Sequence, residues 1–197
     1  MKAVIMAGGL GTRLKPLTHI IPKPLLPVGE QSVLEISIQK LKACGFNELI
    51  IATNYKSQLF ESYFGDGSQF GVKIKYSKEK ERLGTAGPLK LIEEELKEPF
   101  LVINGDILTN MDFKKLVDFH IKNNADITLV TKEIVLPLNY GVVKSKDSFI
   151  EEIEEKPEIK SEVNAGIYIL SPRVLKHIPN GFYNMTELIQ KLLKEKH

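Results

Sequence analysis

The chain has 197 residues, 43% hydrophobic and 26% charged, so it is long enough for one domain with a substantial core. The formal net charge is only +2, the chain has no tryptophan, and acidic residues are interleaved with the basic ones outside the first loop, so the composition disfavours a nucleic-acid-binding protein. No apolar run reaches the roughly 18 residues of a membrane span and no signal peptide precedes the first strand, so we expect a cytoplasmic protein without membrane partners.

A glycine-rich, basic loop follows the first predicted strand, which covers residues 3–6. Residues 8–23 of this loop contain three glycines and three cationic side chains: Gly8, Gly9, Gly11, Arg13, Lys15 and Lys23. Residues 1–29 carry a charge of +4 and no acid, whereas residues 30–197 sum to −2. Because glycine lets the backbone approach a ligand closely, and because the positive charge is concentrated at one loop, the pattern predicts a site for a small phosphate-bearing ligand.

Two familiar phosphate-binding loops do not fit this segment. A Walker A loop requires Gly, four residues and then Gly-Lys-Ser/Thr, and the chain has no such run. A dinucleotide fingerprint would need its third glycine where Leu14 stands, followed directly by a helix, whereas a proline-rich stretch follows here.

Strands and helices are predicted to alternate through the first two thirds of the chain. Ser32 caps a helix that ends before Gly45, Thr85 caps a helix with Leu89, Ile92 and Leu96 on its buried face, and Asp112 caps a third. Between these we predict a strand at 48–53, a helix at 57–64 and strands at 72–76, 100–103 and 125–132. His120, on the apolar stripe of the third capped helix, is expected to be a packing residue.

The last third is predicted to be richer in strands. These cover residues 141–144, 149–154 and 163–170, with helices at 172–178 and 186–194. The alternation predicts a doubly wound, mainly parallel (Rossmann-like) mixed α/β sheet flanked by helices, in which ligands lie beyond the carboxyl ends of the strands. The glycine loop and Asp106 both follow strands at such ends, so we expect them to face one cleft.

Several motifs resemble the signature of the sugar nucleotidyltransferases, also called nucleotide-sugar pyrophosphorylases. They occur in the family's order over the whole chain, at residues 8–18, 22–28, 83–89, 104–106, 154–157 and 164–168. The resemblance implies that a phosphate oxygen of a sugar 1-phosphate attacks the α-phosphorus of a nucleoside triphosphate, releasing pyrophosphate, with Mg²⁺ as cofactor. The segment 83–89 is most similar to the mannose-1-phosphate guanylyltransferase branch, which favours GTP and a mannose-1-phosphate-like sugar.

Two alternatives stay open at this point. One is thymidylyl or uridylyl transfer to glucose 1-phosphate or an amino-sugar 1-phosphate, since those branches share much of the segment that bears on base choice, residues 79–87. The other is a non-catalytic subunit that senses nucleotide or sugar phosphate, which the joint presence of Arg13, Lys23, Asp106 and Lys156 disfavours. A homodimer is expected from the frequency of that state among oligomers.

The resemblance assigns residues to each part of the site. The catalytic residues are expected to be Arg13, Lys23, Asp106 and Lys156. The nucleotide-binding residues are expected to be Ala7, Gly8, Gly9, Gly11, Thr12, Arg13, Lys23, Gly84 and Thr85. The sugar-phosphate-binding residues are expected to be Gly141, Glu155, Lys156 and Asn164. Asp106 is the expected magnesium ligand. An acidic run from 151 to 158 offers a simpler interpretation of Glu155 and Lys156 as a solvated face.

Members of this family continue with a further strand and an Asp-Ile-Gly type segment whose aspartate helps to hold magnesium. This sequence stops at His197 before such a segment. We therefore expect a single nucleotidyltransferase domain over residues 1–197 that lacks the family's C-terminal segment.

Overall fold

A computed structural model describes residues 1–54 and 56–195. The chain divides into two compact units, one formed by residues 1–128 and 166–197 and the other by residues 129–165. The strands are β1 (Lys2–Met6), β2 (Pro27–Val28), β3 (Gln31–Ser32), β4 (Glu48–Thr53), β5 (Lys73–Lys78), β6 (Phe100–Asn104), β7 (Ile127–Pro137), β8 (Val142–Lys146), β9 (Phe149–Glu154) and β10 (Glu158–Leu170). The α-helices are α1 (Val33–Ala43), α2 (Ser57–Phe64), α3 (Gly87–Lys90), α4 (Phe113–Lys122) and α5 (Met185–Glu195).

The main sheet has six strands in the order β5-β4-β1-β6-β10-β7. β4 and β6 pair in parallel with β1 on either side of it, and β5 pairs in parallel with β4. β10 runs antiparallel to β6, with Ile167 opposite Ile103. The predicted fold class, a mainly parallel mixed sheet flanked by helices, is confirmed.

The central strands are mainly apolar and polar only at their ends, as expected where both faces of a sheet are covered. Ala3, Val4 and Ile5 are fully buried, and β4 and β6 show nearly continuous burial. Parallel strands of this kind are typically covered by crossover helices on both faces. The hydrophobic core of the first unit is therefore centred on β1, the strand from which the glycine loop emerges.

Two of the predicted helix caps are confirmed. The Ser32 hydroxyl accepts a hydrogen bond from the backbone N–H of Glu35 at the start of α1. The Asp112 carboxylate accepts from the N–H groups of Lys114 and Lys115 at the start of α4. A cap supplies acceptors for N–H groups that have no partner within the helix, so it fixes where each helix begins.

The prediction for Thr85 is wrong. α3 is only four residues long with Ala86 at its N-cap, and a short 3₁₀ turn, Glu93–Glu95, follows. The Thr85 hydroxyl instead accepts the N–H of Met185, 2.8 Å away, at the start of α5. The predicted buried positions are confirmed at Leu89, Ile92 and Leu96. The apolar pattern therefore predicted correctly which residues are buried, but these residues do not belong to one continuous helix.

His120 is buried between two hydroxyl groups of the first unit. Its Nδ1 lies 2.8 Å from Thr128 Oγ1 and its Nε2 lies 3.0 Å from Ser171 Oγ. Burial and, to a lesser degree, the charge of Arg173 lower the pKa of His120, while Asp126 opposes them. These contacts agree with the packing role expected for this residue.

The second unit contains a two-stranded antiparallel sheet formed by β8 and β9. Val143 lies opposite Ile153, and the register shifts between Lys144 and Ser145. An ion pair 2.6 Å long joins Lys144 to Glu152. In the first unit and this one alike, the described residues include no helix with the length and apolar character needed to cross a membrane.

Candidate functional site

The carboxyl ends of three parallel strands meet at one edge of the sheet. Met6, the last residue of β1, pairs with Ala52 of β4 and with Asn104, the last residue of β6. The chain stays close after the strands end, because the N–H of Gly105 donates to the Met6 carbonyl at 2.9 Å. The glycine loop and the Asn-Gly-Asp turn therefore lie side by side, as in other parallel α/β sheets where ligands bind at this edge.

The glycine loop is held by short turns and by a side-chain hydrogen bond rather than by long helices. It contains three short 3₁₀ turns, Thr12–Leu14, Leu17–His19 and Lys23–Leu25. The buried Thr18 hydroxyl donates to the Gly11 carbonyl at 2.9 Å, which closes the first part of the loop on itself. Because the loop is fixed before a ligand arrives, less conformational entropy is lost on binding.

Lys23 and Asp106 form an ion pair at the centre of this edge. Pro24 packs over Gly105, where a side chain on residue 105 would meet the proline Cγ at 3.2 Å. This contact brings the Lys23 ammonium group to the Asp106 carboxylate, although the two residues are 83 positions apart. Their side chains are 41% and 36% exposed, so both groups remain accessible to a ligand.

A second wall faces the glycine loop and is formed by residues 83–87. The Tyr183 carbonyl accepts the N–H groups of Ala86 and Gly87 at 2.9 and 3.0 Å, and the Tyr183 N–H donates to the Leu83 carbonyl at 2.9 Å. Gly84 has a φ of +77°, and a Cβ there would stand 2.5 Å from the Tyr183 carbonyl oxygen. The wall is therefore rigid, and glycine is needed at position 84.

Glu79 joins the two walls just beyond the end of β5. One carboxylate oxygen, Oε2, accepts the Leu83 N–H at 3.1 Å, and the other, Oε1, lies 2.7 Å from the point where a Cβ would stand on Gly8. Burial raises the pKa of Glu79 above its ordinary value, while hydrogen bonds from Leu83 and Asn54 and the charge of Arg82 act in the opposite direction. Gly8 is thus required for the close approach of this carboxylate.

The two walls enclose a cavity of about 420 Å³. This volume is in the range of small-molecule sites in proteins. Ten residues expected from the sequence line it, namely Ala7, Gly8, Gly9, Gly11, Thr12, Arg13, Lys23, Gly84, Thr85 and Asp106. The structure therefore brings the expected nucleotide-binding residues and three of the expected catalytic residues around one space.

The other four expected residues belong to the second unit. Gly141, Glu155, Lys156 and Asn164 are all exposed there. Within that unit, Glu155 Oε2 lies 3.0 Å from the point where a Cβ would stand on Gly141, so these two positions adjoin. Their assignment to the sugar phosphate stays a prediction.

The cavity is also lined by residues that were not singled out from the sequence. They include Asn54, Glu79, Arg82, Asn104, Phe182 and Asn184. Asn54 and Glu79 each follow a strand that runs parallel to β1, so the rule that ligands bind at the carboxyl ends of such strands could have found them. Phe182 and Asn184 follow no such strand, and no sequence signal placed their segment against residues 83–87.

The carboxylate chemistry of the cavity suits a magnesium ion that is bound together with phosphates. Within residues 1–54 and 56–195, no group of three or more His, Cys, Asp or Glu side chains could hold a metal ion by itself. Mg²⁺ is commonly held by one or two carboxylates plus the phosphates of a substrate, and retains several waters. The accessible oxygens of Asp106 fit that mode of binding, but not a metal site made by the protein alone.

Comparison with known proteins identifies the family. Residues 2–197 match the Nucleotidyl transferase family. This chain belongs to that family. Among its relatives are a mannose-1-phosphate guanyltransferase of Yarrowia lipolytica, 42% identical over 89% of this chain, and a UTP–glucose-1-phosphate uridylyltransferase of Synechocystis sp., 38% identical over 92% of it. The family resemblance predicted from the motifs is thereby confirmed.

The matched relatives are longer than this chain. The chain spans about half the length of the Yarrowia and Synechocystis proteins, 50% and 52% respectively. Among solved structures, HddC from Yersinia pseudotuberculosis complexed with GMP-PN is similar, with a TM-score of 0.72 and 27% identity over 93% of this chain and 82% of that one. The fold of the nucleotidyl transferases is therefore shared along nearly the whole chain.

Proposed function

We propose that this protein transfers a nucleotidyl group from a nucleoside triphosphate to a sugar 1-phosphate, forming a nucleotide-diphospho-sugar and pyrophosphate. One observation supports the proposal most strongly: the cavity between residues 83–87 and the glycine loop has Arg13, Lys23 and Asp106 on its walls. A transfer between two anions needs cations to offset their repulsion and the charge of the departing pyrophosphate. The basic loop supplies that charge within a preorganised backbone.

Each charged residue of the cavity has a distinct proposed role. Arg13 binds oxygens of the triphosphate, because its planar guanidinium group can donate two hydrogen bonds to a phosphate. Lys23 binds near the α-phosphate, where its ammonium group stabilises the charge that develops during attack. Asp106 would hold Mg²⁺ together with phosphate oxygens, and the ion would supply further neutralisation of the triphosphate.

The sugar 1-phosphate is proposed to contact the second unit. By resemblance to the family, Glu155 accepts hydrogen bonds from sugar hydroxyl groups, and Lys156 binds the phosphate. Gly141 and Asn164 are proposed as further contacts. The adjoining positions of Gly141 and Glu155 support a shared role for these two residues.

For the substrates, we propose GTP and a mannose-1-phosphate-like sugar. The Yarrowia relative, at 42% identity, is named a mannose-1-phosphate guanyltransferase, and the similar HddC structure contains GMP-PN. The Synechocystis relative, at 38% identity, is named a UTP–glucose-1-phosphate uridylyltransferase, so uridylyl transfer is the second candidate.

A product assay tests the proposal. The protein is incubated with Mg²⁺, one of five nucleoside triphosphates (GTP, dTTP, UTP, CTP or ATP), and a panel of sugar 1-phosphates that includes mannose and glucose. Nucleotide sugars are then measured by mass spectrometry. We expect GDP-mannose to dominate. If folded protein binds nucleotide but forms no product in any combination, the catalytic proposal is wrong and a sensing role takes its place.

Lys23→Ala provides the matched residue test. We expect turnover to fall by about 10²-fold or more, as for removal of a charge-stabilising donor. Lys122→Ala is the control, because Lys122 is an exposed lysine at the end of α4 that does not line the cavity. Equal rates for the two variants would remove Lys23 from the mechanism.

Light scattering on the same samples tests the predicted homodimer.

A further inference from the structure

The Lys56 side chain binds the carbonyl end of the second 3₁₀ turn of the glycine loop. Its ammonium group donates to the Thr18 carbonyl at 3.2 Å and to the His19 carbonyl at 2.6 Å. Carbonyl groups at the end of a helical turn have no partner within it and carry partial negative charge, so a lysine is a suitable donor there. Lys56 therefore ties the segment that follows β4 to the loop that follows β1.

Thr18 connects this contact to the cationic residues of the loop. The Thr18 hydroxyl donates to the Gly11 carbonyl, and the same carbonyl accepts the Leu14 N–H at 2.9 Å, which closes the turn that carries Arg13. From the point where a Cβ would stand on Gly11, Thr18 Cγ2 is 2.7 Å away and Lys23 Cβ is 3.4 Å away. A displacement of Thr18 would therefore alter the positions of both cationic residues.

The backbone of Lys56 lies in a conformation that is unfavourable for a residue with a side chain. Its φ is +59°, in the left-handed region, at the N-cap position of α2. Such conformations persist where the surrounding structure requires them, and they are concentrated at active sites and ligand-binding segments. Asn54, two residues earlier, lines the cavity. The connection from β4 to α2 thus contributes one residue to the cavity and a second that holds the opposite loop.

We propose that Lys56 is a positioning residue, which acts through Thr18 to fix the glycine loop in the conformation that binds the triphosphate. Of the residues that the structure describes, those that line the cavity do not include Lys56, so its effect on a ligand is indirect. A loop that is ordered before the ligand arrives loses less conformational entropy on binding. The proposal rests on the proposed function, because it requires a nucleoside triphosphate as the ligand.

Lys56→Met tests the proposal because methionine is an unbranched side chain without the charged donor. Affinity for GTP is measured with Mg²⁺ by isothermal titration calorimetry. We expect the affinity to fall by about tenfold, as for loss of a hydrogen bond from a charged group. Lys56→Arg should stay close to wild type, because a guanidinium group can also donate to two carbonyl oxygens. The matched control is Lys122→Met, which changes an exposed lysine at the end of α4. Equal losses in Lys56→Met and Lys56→Arg would overturn the role of the donated hydrogen bonds.

Hydrogen exchange measures the order of the loop without any ligand. The N–H of Leu14 donates to the Gly11 carbonyl, and the N–H groups of Ile20 and Ile21 donate to the Leu17 carbonyl. In Lys56→Met we expect exchange in a peptide covering residues 12–22 to become about tenfold faster, while the midpoint of urea unfolding stays near that of wild type. GTP should restore the protection. Unchanged exchange in this peptide, or faster exchange throughout the first unit, would contradict a positioning role.

A double-mutant cycle tests whether Lys56 acts through Thr18. Thr18→Val keeps the shape of the side chain but removes the hydrogen bond to the Gly11 carbonyl, and should also weaken GTP binding by about tenfold. Because both residues stabilise the same conformation of the loop, the double variant should bind GTP little more weakly than the weaker of the two single variants. If the two losses multiply instead, Lys56 acts independently of Thr18 and the proposal is wrong.

These outcomes separate the proposal from the proposed function. If the wild type binds GTP and forms nucleotide sugars, but Lys56→Met matches Lys122→Met in affinity and in exchange, the function stands and the role of Lys56 is wrong. If the wild type binds no nucleoside triphosphate, the proposed function fails, and the role of Lys56 fails with it.

Discussion

Replacing Gly84 by alanine should destabilise the wall of the cavity by two separate effects. The first is conformational, because residue 84 has a φ of +77°, a region that costs an L-residue about 1–2 kcal/mol. The second is steric, because the new Cβ would stand 2.5 Å from the Tyr183 carbonyl oxygen. That oxygen accepts two backbone hydrogen bonds, and displacing it weakens at least one of them, by about 1 kcal/mol.

We therefore expect Gly84→Ala to lower the free energy of unfolding by about 2–3 kcal/mol. Urea denaturation followed by circular dichroism measures this change, and calorimetric titration with GTP reports whether the wall still binds. The matched control is Gly181→Ala, because Gly181 has a φ of +98° but nothing within 4 Å of an added Cβ. The control should therefore show only the conformational part of the loss. If Gly84→Ala is no more destabilising than Gly181→Ala, the steric part of this reasoning is refuted.

Two further predictions concern hydrogen bonds of the first unit. Thr85→Val removes the acceptor for the N–H of Met185 and should lower the free energy of unfolding by about 1 kcal/mol in urea denaturation, whereas Thr85→Ser should stay close to wild type. A loss of the same size in both variants would contradict the capping role. The pKa of His120 is lowered in the folded protein. As the pH decreases through about 6.5, this histidine takes up a proton more readily in the unfolded chain than in the folded protein, so the free energy of unfolding should fall. In His120→Gln this part of the pH dependence should be absent. Denaturation curves of both proteins are measured between pH 5.5 and pH 8, a range that extends roughly one unit or more to either side of the free-histidine pKa. If the free energy of unfolding changes with pH by the same amount in both proteins, His120 is excluded as the source of the pH dependence.

Local signals in the sequence were sufficient to predict much of the fold and part of the cavity. Ser32 and Asp112 act within three residues of themselves, so their caps could be predicted without any knowledge of distant contacts. The placement of Asp106 beside the glycine loop followed from strand topology alone, since β1 and β6 run in parallel and end together.

Long-range pairing was outside the reach of those signals. Thr85 has the chemistry of a helix cap, and it does cap a helix, but the helix begins 100 residues later in the chain. Phe182 reaches the cavity because backbone groups of its neighbours pair with residues 83–87, and such pairing leaves no periodic mark in the sequence. Glu79 was within reach, because it follows a parallel strand at the edge where the other site residues lie.

The backbone pairing between residues 83–87 and residues 183–185 also constrains when the cavity can form during synthesis. The N–H groups of Ala86 and Gly87 have their acceptor at Tyr183, and the Thr85 hydroxyl bonds with Met185, so this wall is incomplete until the ribosome has released that part of the chain. Domains fold as units during translation, and a nascent chain that ends before Tyr183 has no partner for these groups. GTP added to stalled nascent chains should consequently protect them from proteolysis only once residue 185 has left the exit tunnel.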